Sequence, residues 1–395
     1  MNILIVNTLD RGGAAKACIR LHQGLLKEGV HSKLLLRQQS HTDIPETYEF
    51  AFSPGSKLDF VKQKVVGYQI SKSKQKALTK RPKGFEPFRI AKSPYPLHLH
   101  PLFEWADIVN LHWVTDFLDE ASFFDSCRKP LVWTLHDMLP FTGGFHYKQG
   151  FPIDAYQDLI ERNLSLKKKA YAGASMHIVA PSKWLMNQSA ASPLFSSFPH
   201  HNIPYGIDTE IFKSQNPEFS KEVLGLPKDK KIVLFVADSL ANKRKGVHFL
   251  VEAIESLPSD IALGFVGSDH LQINHSSCYP LGRIYDERLM AMAYSAADLF
   301  VIPSIEDNLP NTVIESLCCG TPVVGFDIGG VPDMVQPGLN GFLCPEISSG
   351  SLSQTIQKAL NHPFDTNAIR ENAHEKYDES VQAKAYQELY DSLLA

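Results

Sequence analysis

The stretch Pro303–Gly320, PSIEDNLPNTVIESLCCG, follows directly on the apolar run Leu299–Ile302 and sets Asp307 and Glu315 eight positions apart. A helix starting near Pro310 would suit proline at the first helical position, whose N–H has no intrahelical partner to lose. The N–H groups of Asn311 and Thr312 would then point out of the sheet end, where an anionic phosphate belongs. Glu315, a little over one turn into that helix, can accept hydrogen bonds from vicinal ribose hydroxyls. Asp307, in the loop, can hold hydroxyls of a sugar. Two carboxylates flanking a phosphate site suit a nucleotide-sugar. Taken alone, the same acids would equally serve only the helix dipole, at about 0.3–1 kcal/mol each.

Cations for such a phosphate stand at Lys243, Arg244 and Lys245, followed by Gly246, in a loop after the apolar run Ile232–Ala237. A departing nucleoside diphosphate gathers negative charge, and preorganised cations lower that barrier. The alternative is a solvated basic turn. Gly12 and Gly13 lack side chains, which lets backbone approach a ligand closely or simply turn. His112 and His136 each stand just after a predicted strand, Ile108–Leu111 and Leu131–Leu135, at the end of a sheet where open α/β folds bind ligands. His112, Trp113, His146 and Tyr147 are candidates to bind the acceptor, the last three by stacking on sugar faces. No Asp-x-Asp occurs, so a metal-bridged diphosphate site has no visible ligands, and we expect neither metal nor cofactor. P-loop, Gly-x-Gly-x-x-Gly, Gly-x-Ser-x-Gly and His-Glu-x-x-His patterns are missing too, which removes support for kinase-like, dehydrogenase, hydrolase and zincin chemistry.

These residues need elements to position them. Short apolar runs alternate with helical patterns along most of the chain, the mark of parallel strands joined by crossover helices and hence of an α/β protein. Ile3–Val6, Lys33–Leu36, Ile108–Leu111, Leu131–Leu135 and His177–Ala180 read as strands of a first series. Ile232–Ala237, Leu263–Gly267, Leu299–Ile302 and Pro322–Phe326 form a second. Ala15, Cys18, Ile19, His22 and Leu26 recur at helical spacing after the glycine turn. Proline, glycine and charge replace periodicity at Asn202–Glu210, which predicts two doubly wound domains facing a cleft. The expected division is 1–205, 206–376 and a C-terminal helix over 377–395 that returns to the first domain.

Length and composition agree with this. At ~150 residues per domain, 395 residues make two or three domains. An apolar share of 44% and a net charge of -4 describe a soluble globular chain with no global field for a polyanion, so no nucleic-acid partner is expected. The first residues, MNILIVNT, read as a buried strand and not as a signal peptide. Six cysteines without Cys-x-x-Cys spacing suggest reduced thiols and a cytoplasmic location.

The motifs resemble the retaining glycosyltransferases of family 4, which carry a Glu-x7-Glu pattern on a GT-B fold. The resemblance rests on Pro303-Ser304 with the spaced acids, Cys319-Gly320-Thr321-Pro322-Val323-Val324 and Gly329-Gly330-Val331-Pro332-Asp333. It extends through Gly12-Gly13, Ala180-Pro181-Ser182-Lys183-Trp184, Pro204-Tyr205-Gly206-Ile207-Asp208, Lys245-Gly246, Val266-Gly267 and Asn340-Gly341. It implies a cytoplasmic enzyme moving a sugar from a UDP- or GDP-linked donor to a saccharide or lipid-linked saccharide with retained configuration. Asp307, Lys245, Arg244 and His136 would be catalytic. Gly12, Gly13, Lys243, Asn311, Thr312 and Glu315 would bind the donor. The segment His136–Tyr147 resembles members that build bacterial surface polysaccharides, where the histidine after the strand contacts the donor sugar. Two departures stand out: Asp307 replaces the first Glu, and Pro310 replaces the usual Gly before the helix.

Residues 57–83 break the pattern, with nine Lys or Arg against one acid and Leu58, Val61, Val65 and Tyr68 on one helical face. This segment suits either an anionic membrane surface, such as the inner face of the cytoplasmic membrane, or a solvated helix with a tail. Two rival functions remain at this stage. One is an epimerase of nucleotide-sugars on the same fold, and the other is a non-catalytic nucleotide-sugar-binding subunit.

Overall fold

The computed structural model describes residues 1–51, 57–237, 242–267 and 277–395, with the side chains of 57–63 left aside. The chain divides into two compact units, residues 1–203 with 382–395, and residues 204–381. Among the described residues no helix is long and apolar enough to cross a membrane.

The first unit is built on seven strands: β1 (Asn2–Leu9), β2 (His31–Gln38), β3 (Thr47–Glu49), β4 (Ile108–Leu111), β5 (Leu131–Thr134), β6 (Met176–Ala180) and β7 (His200–Asn202). They lie parallel in the order β3-β2-β1-β4-β5-β6-β7. The second unit has β8 (Lys231–Val236), β9 (Ile261–Val266), β10 (Cys278–Gly282), β11 (Leu299–Ile302), β12 (Val323–Phe326) and β13 (Gly341–Cys344), parallel in the order β10-β9-β8-β11-β12-β13. The expected α/β class with two Rossmann-like sheets is what the chain adopts. In each sheet the strand order reverses beside one strand pair, β1/β4 in the first and β8/β11 in the second. Crevices for ligands open at the carboxyl ends of strands at such a reversal.

The strands are apolar throughout because both faces are covered. On β1, Leu4 and Val6 enter one core with Val109, Leu111, Leu131 and Trp133. Ile3 and Ile5 enter the other with Cys18, Leu21 and Leu25 of the helix Gly13–Lys27. In the second unit Val233, Phe235, Leu263, Phe265, Leu299 and Val301 pack beneath the helices Val247–Glu255 and Ser349–Leu360. The nine strands expected from sequence are all present, and the four left out, β3, β7, β10 and β13, are the outermost strands of the two sheets. β3, β7 and β10 are half-covered and carry no continuous apolar run, whereas β13, Gly-Phe-Leu-Cys, is apolar but only four residues long.

The helix Glu379–Leu394 begins in the second unit and ends in the first. It starts at Glu379 and not at Tyr377 because Asp378 interrupts the helical path, its carboxylate accepting from the backbone N–H and hydroxyl of Ser380. Ala383, Tyr386, Leu389 and Tyr390 complete the core on the Ile3/Ile5 face of the first sheet. Two buried polar residues of the central strands receive it. Asn110 donates to the Tyr390 hydroxyl at 2.8 Å, Thr134 donates to Asn110 Oδ1 at 2.9 Å, and the Tyr386 hydroxyl meets Thr134 at 2.8 Å.

The basic segment forms a helix over Lys57–Thr79. Leu58 and Val61 have side chains outside the described set, while Val65 and Tyr68 are exposed. Ile70 and Ala77, seven residues apart, are the buried pair, and Tyr156 donates its hydroxyl to the Ala77 carbonyl at 2.9 Å. Docking of the second half of the helix on the first unit leaves Val65 and Tyr68 outward.

Because Tyr390 supplies the acceptor for the buried Asn110 amide, Tyr390→Phe leaves that donor unsatisfied. Urea unfolding should show a loss of about 1–3 kcal/mol.

Candidate functional sites

In the second unit the chain gathers the predicted cations and Asp307 at the carboxyl end of β11. The turn Lys243–Lys245 is capped by Asn242, whose side chain accepts from the Arg244 N–H at 3.0 Å. Gly246 ends it at φ +63°, and a Cβ there would collide with the Pro303 carbonyl, so this turn and the loop after β11 lie backbone against backbone. The Ile305 N–H donates to the Arg244 carbonyl at 2.9 Å, and the Arg244 guanidinium donates to the Glu306 carbonyl at 2.7 Å. Asp307 Oδ2 then takes Lys245 Nζ at 2.7 Å, Arg244 at 3.3 Å and the Ser304 hydroxyl at 3.2 Å. Burial alone would raise the Asp307 pKa; the Lys245 ammonium and then the Arg244 guanidinium overcome it and pull the carboxyl down to about 2.

The adjoining helix is Asn311–Cys318. Pro310 is its N-cap, in extended conformation with ψ 119°, and not its first helical residue as the sequence suggested. The proline ring fixes φ near the value this turn needs while the next residues supply the first-turn N–H groups, those of Asn311 and Thr312. Glu315 lies one turn further in and is buried, its carboxylate accepting from the Tyr294 hydroxyl at 2.9 Å. Tyr294 sits on the neighbouring helix Glu287–Ser295 and gave no sequence signal of its own. Four residues intended as donor ligands, Lys243, Asn311, Thr312 and Glu315, thus stand on the turn and helix that frame Asp307.

The first unit assembles a second cluster. His112 and His136 follow β4 and β5, adjacent parallel strands, and their rings meet through Nδ1 of His112 and Nε2 of His136 at 3.0 Å. Burial lowers the His136 pKa to about 4 against the opposing pull of Asp137. Burial and then the His136 ring drive His112 well below the usual imidazole value. Asp137, which sequence reasoning passed over, is the hub of this region: it accepts from the Leu139 N–H at 2.8 Å and the Trp113 indole at 3.1 Å, and pairs with His146 Nδ1 at 2.7 Å. Burial raises its pKa, and the His146 ring, the Leu139 N–H and the Trp113 indole together more than offset this and hold the carboxyl below its usual value. His146 is therefore turned onto Asp137, and its ring stacks on Trp113 at 6.0 Å. Tyr147 is half-buried beside it. His112, Trp113, His136 and Asp137 line a cavity with Arg89, while His146 and Tyr147 do not.

At the end of β1, Gly12 takes φ +93° as N-cap of the helix Gly13–Lys27, a conformation only glycine adopts readily. Nothing stands within 4 Å of where a Cβ of Gly12 would lie. Asp10, just before it, is buried and accepts from the backbone N–H groups of Ser40 and His41.

Comparisons with known proteins place this architecture. Residues 216–376 match the family described as glycosyl transferases group 1. The TuaC protein of Bacillus subtilis strain 168, named for glycosyl transfer in teichuronic acid biosynthesis, is 26% identical over 299 residues, covering 73% of this chain and 71% of its own. A D-inositol 3-phosphate glycosyltransferase of Mycolicibacterium smegmatis is 30% identical over 174 residues, 40% of this chain and 38% of its own. Among solved structures, sucrose-phosphate synthase from Thermosynechococcus elongatus superposes over 100% of this chain and 99% of its own with TM-score 0.72 at 19% identity. Anabaena HepE in complex with UDP-glucose does so over 99% and 100% with TM-score 0.69 at 17% identity.

A depressed folded-state pKa means that Asp307 contributes stability above its unfolded value near 3.8 and loses it as pH falls through about 2. Asp307→Asn should cost on the order of 2 kcal/mol at neutral pH, with the gap to wild type closing below about pH 3 in denaturant titrations.

These matches show the GT-B fold, with residues 216–376 similar to the glycosyl transferases group 1.

Proposed function

We propose that the chain is a retaining, metal-independent glycosyltransferase. It moves a sugar from a UDP- or GDP-linked donor to a saccharide or lipid-linked saccharide in surface-polysaccharide synthesis. The observation that carries this reading is the Lys245–Asp307–Arg244 cluster beside the N-terminus of the helix Asn311–Cys318. Two cations balanced on one carboxylate are a diphosphate site held in readiness: the arriving diphosphate takes over the cations, and Asp307 is released to sugar hydroxyls. Glu315 then fixes the ribose, and the first-turn N–H groups of Asn311 and Thr312 meet the phosphate. As the C1–O bond breaks, Lys245 and Arg244 stabilise the charge on the leaving group. The bound donor in the Anabaena relative and the name of the Bacillus relative favour the nucleotide-sugar and the polysaccharide assignments.

The first unit receives the acceptor in this reading, and His136 is proposed as a further catalytic residue. The helix Lys57–Thr79 offers an anionic lipid surface the exposed Lys64, Lys72 and Lys76 beside exposed Val65, Val66 and Tyr68. Each such lysine contributes about 1 kcal/mol near that surface. This would bring a lipid-linked acceptor to the enzyme.

Two variants test the donor site. Glu315→Ala should weaken UDP or GDP binding about tenfold or more by calorimetry, since hydrogen bonds to a charged group are lost. Lys245→Ala should lower turnover about 100-fold while changing nucleotide affinity far less. Wild-type behaviour in both would remove the assignment.

A further inference from the structure

The helix Lys57–Thr79 docks on the first unit through Ile70 and Ala77. Lys74 lies four residues after the first and three before the second, so it falls on the same docked face. Lys64, Lys72 and Lys76 are exposed, whereas Lys74 turns inward and meets Asp116 Oδ1 at 2.7 Å. Placing a cation on a docked face is costly unless a partner is waiting there. Arg89 takes the other oxygen of the same carboxylate at 2.6 Å, and the Arg37 guanidinium donates to the Asp116 carbonyl at 3.3 Å. Asp116 itself sits at φ +61°, in the left-handed region. Arg37 near the end of β2, Lys74 from the helix and Arg89 from the segment before β4 therefore converge on one residue of the loop after β4.

The charges around this residue do not balance. Among the described residues Asp116 is the one carboxylate that forms an ion pair with Lys74 or Arg89, and none pairs with Arg37. Asp137, the next carboxylate to act on Arg89, is committed to His146 at 2.7 Å. Three cations thus face one anion. Burial lowers the Arg89 pKa, Asp116 and then Asp137 oppose this, and Arg37 and Arg81 push it down again because the guanidinium groups repel one another. A second anion relieves that repulsion. The cluster is open enough to admit one, since the side chains of Lys74 and Arg89 are 29% and 25% exposed. A guanidinium fork fits paired anionic oxygens, and an ammonium adds a point charge. A carboxylate would balance only part of the surplus, whereas a phosphate monoester or a diphosphate, with close to two negative charges or more, balances it.

We propose that Arg37, Lys74 and Arg89 bind a phosphate monoester or diphosphate group, with Asp116 keeping the three cations in place until it arrives. The inference rests on the function proposed above only in assigning that group to the acceptor, which is then a saccharide carried on a phosphate or diphosphate and not a free saccharide. The same helix carries the exposed Lys72 and Lys76, so the group is held beside the surface proposed to meet lipid.

The test is calorimetry on the full chain with UDP at saturation to fill the second unit. The probes are inorganic pyrophosphate, glucose 6-phosphate, and farnesyl diphosphate in neutral detergent micelles, with farnesol as control. The phosphate-bearing probes should reveal one further site and farnesol none. Arg37→Gln and Lys74→Gln should each weaken it about tenfold, the loss expected of a charge-assisted hydrogen bond. Asp116→Asn should tighten it about three- to tenfold, because the competing charge is removed while asparagine also tolerates positive φ. A purely structural clasp gives no such gain. Tighter binding of farnesyl diphosphate than of pyrophosphate supports the site with a lipid-borne source, and glucose 6-phosphate binding at least as tightly supports it with a soluble ester. The proposal is overturned if no phosphate-bearing probe binds beside UDP, if Arg37→Gln and Lys74→Gln bind like wild type, or if Asp116→Asn binds no more tightly. UDP is titrated separately. Its failure to bind would overturn the donor assignment in the second unit and leave the result around Asp116 standing, since the three variants report on the first unit.

Discussion

A single carboxylate holds the ligand end of the second unit together. Asp307 is buried, and its charge is kept by Lys245 and Arg244 from a turn more than sixty residues earlier in the chain. Its own carbonyl receives the Gly330 N–H at 3.1 Å, and Gly329, at φ +55°, packs so closely against that carbonyl that a side chain would not fit. Three loops therefore converge on one residue. A glutamate at this position would push the carboxylate one methylene further into the two cations. The shorter aspartate fits because the Gly246 turn already lies against Pro303.

The first unit solves the same problem with Asp137. There the carboxylate collects the Trp113 indole and the Leu139 N–H, close after β4 and β5, and the His146 imidazole from further along the chain. Around Asp307 two cations share one anion. In the first unit Asp116 likewise takes both Arg89 and Lys74, while Glu120 takes Lys167.

Much of this was legible in the sequence, for identifiable reasons. The buried central strands announce themselves as apolar runs, and the chemistry follows each of them within a few positions, as with His112 after β4 and Asp307 after β11. The edge strands were not legible because half-burial leaves no pattern in TYE or HHN. The docking of the helix Lys57–Thr79 through Ile70 and Ala77 was not legible, because periodicity shows that a stripe exists but not which residues pack on the rest of the unit. Tyr294 and Asp137 were invisible for another reason. Their roles come from partners distant in sequence or hidden in ordinary loop residues, and neither type nor spacing marks them out.

The final helix supplies Ala383, Tyr386, Leu389 and Tyr390 to the face of the first sheet carrying Ile3 and Ile5, so the earliest and latest segments of the chain share one core. During synthesis the helix Gly13–Lys27 covers part of that face early, and the rest is covered only once 382–395 emerge, after the whole of the second unit, 204–381. The first unit therefore completes its core after the chain of the second has been made.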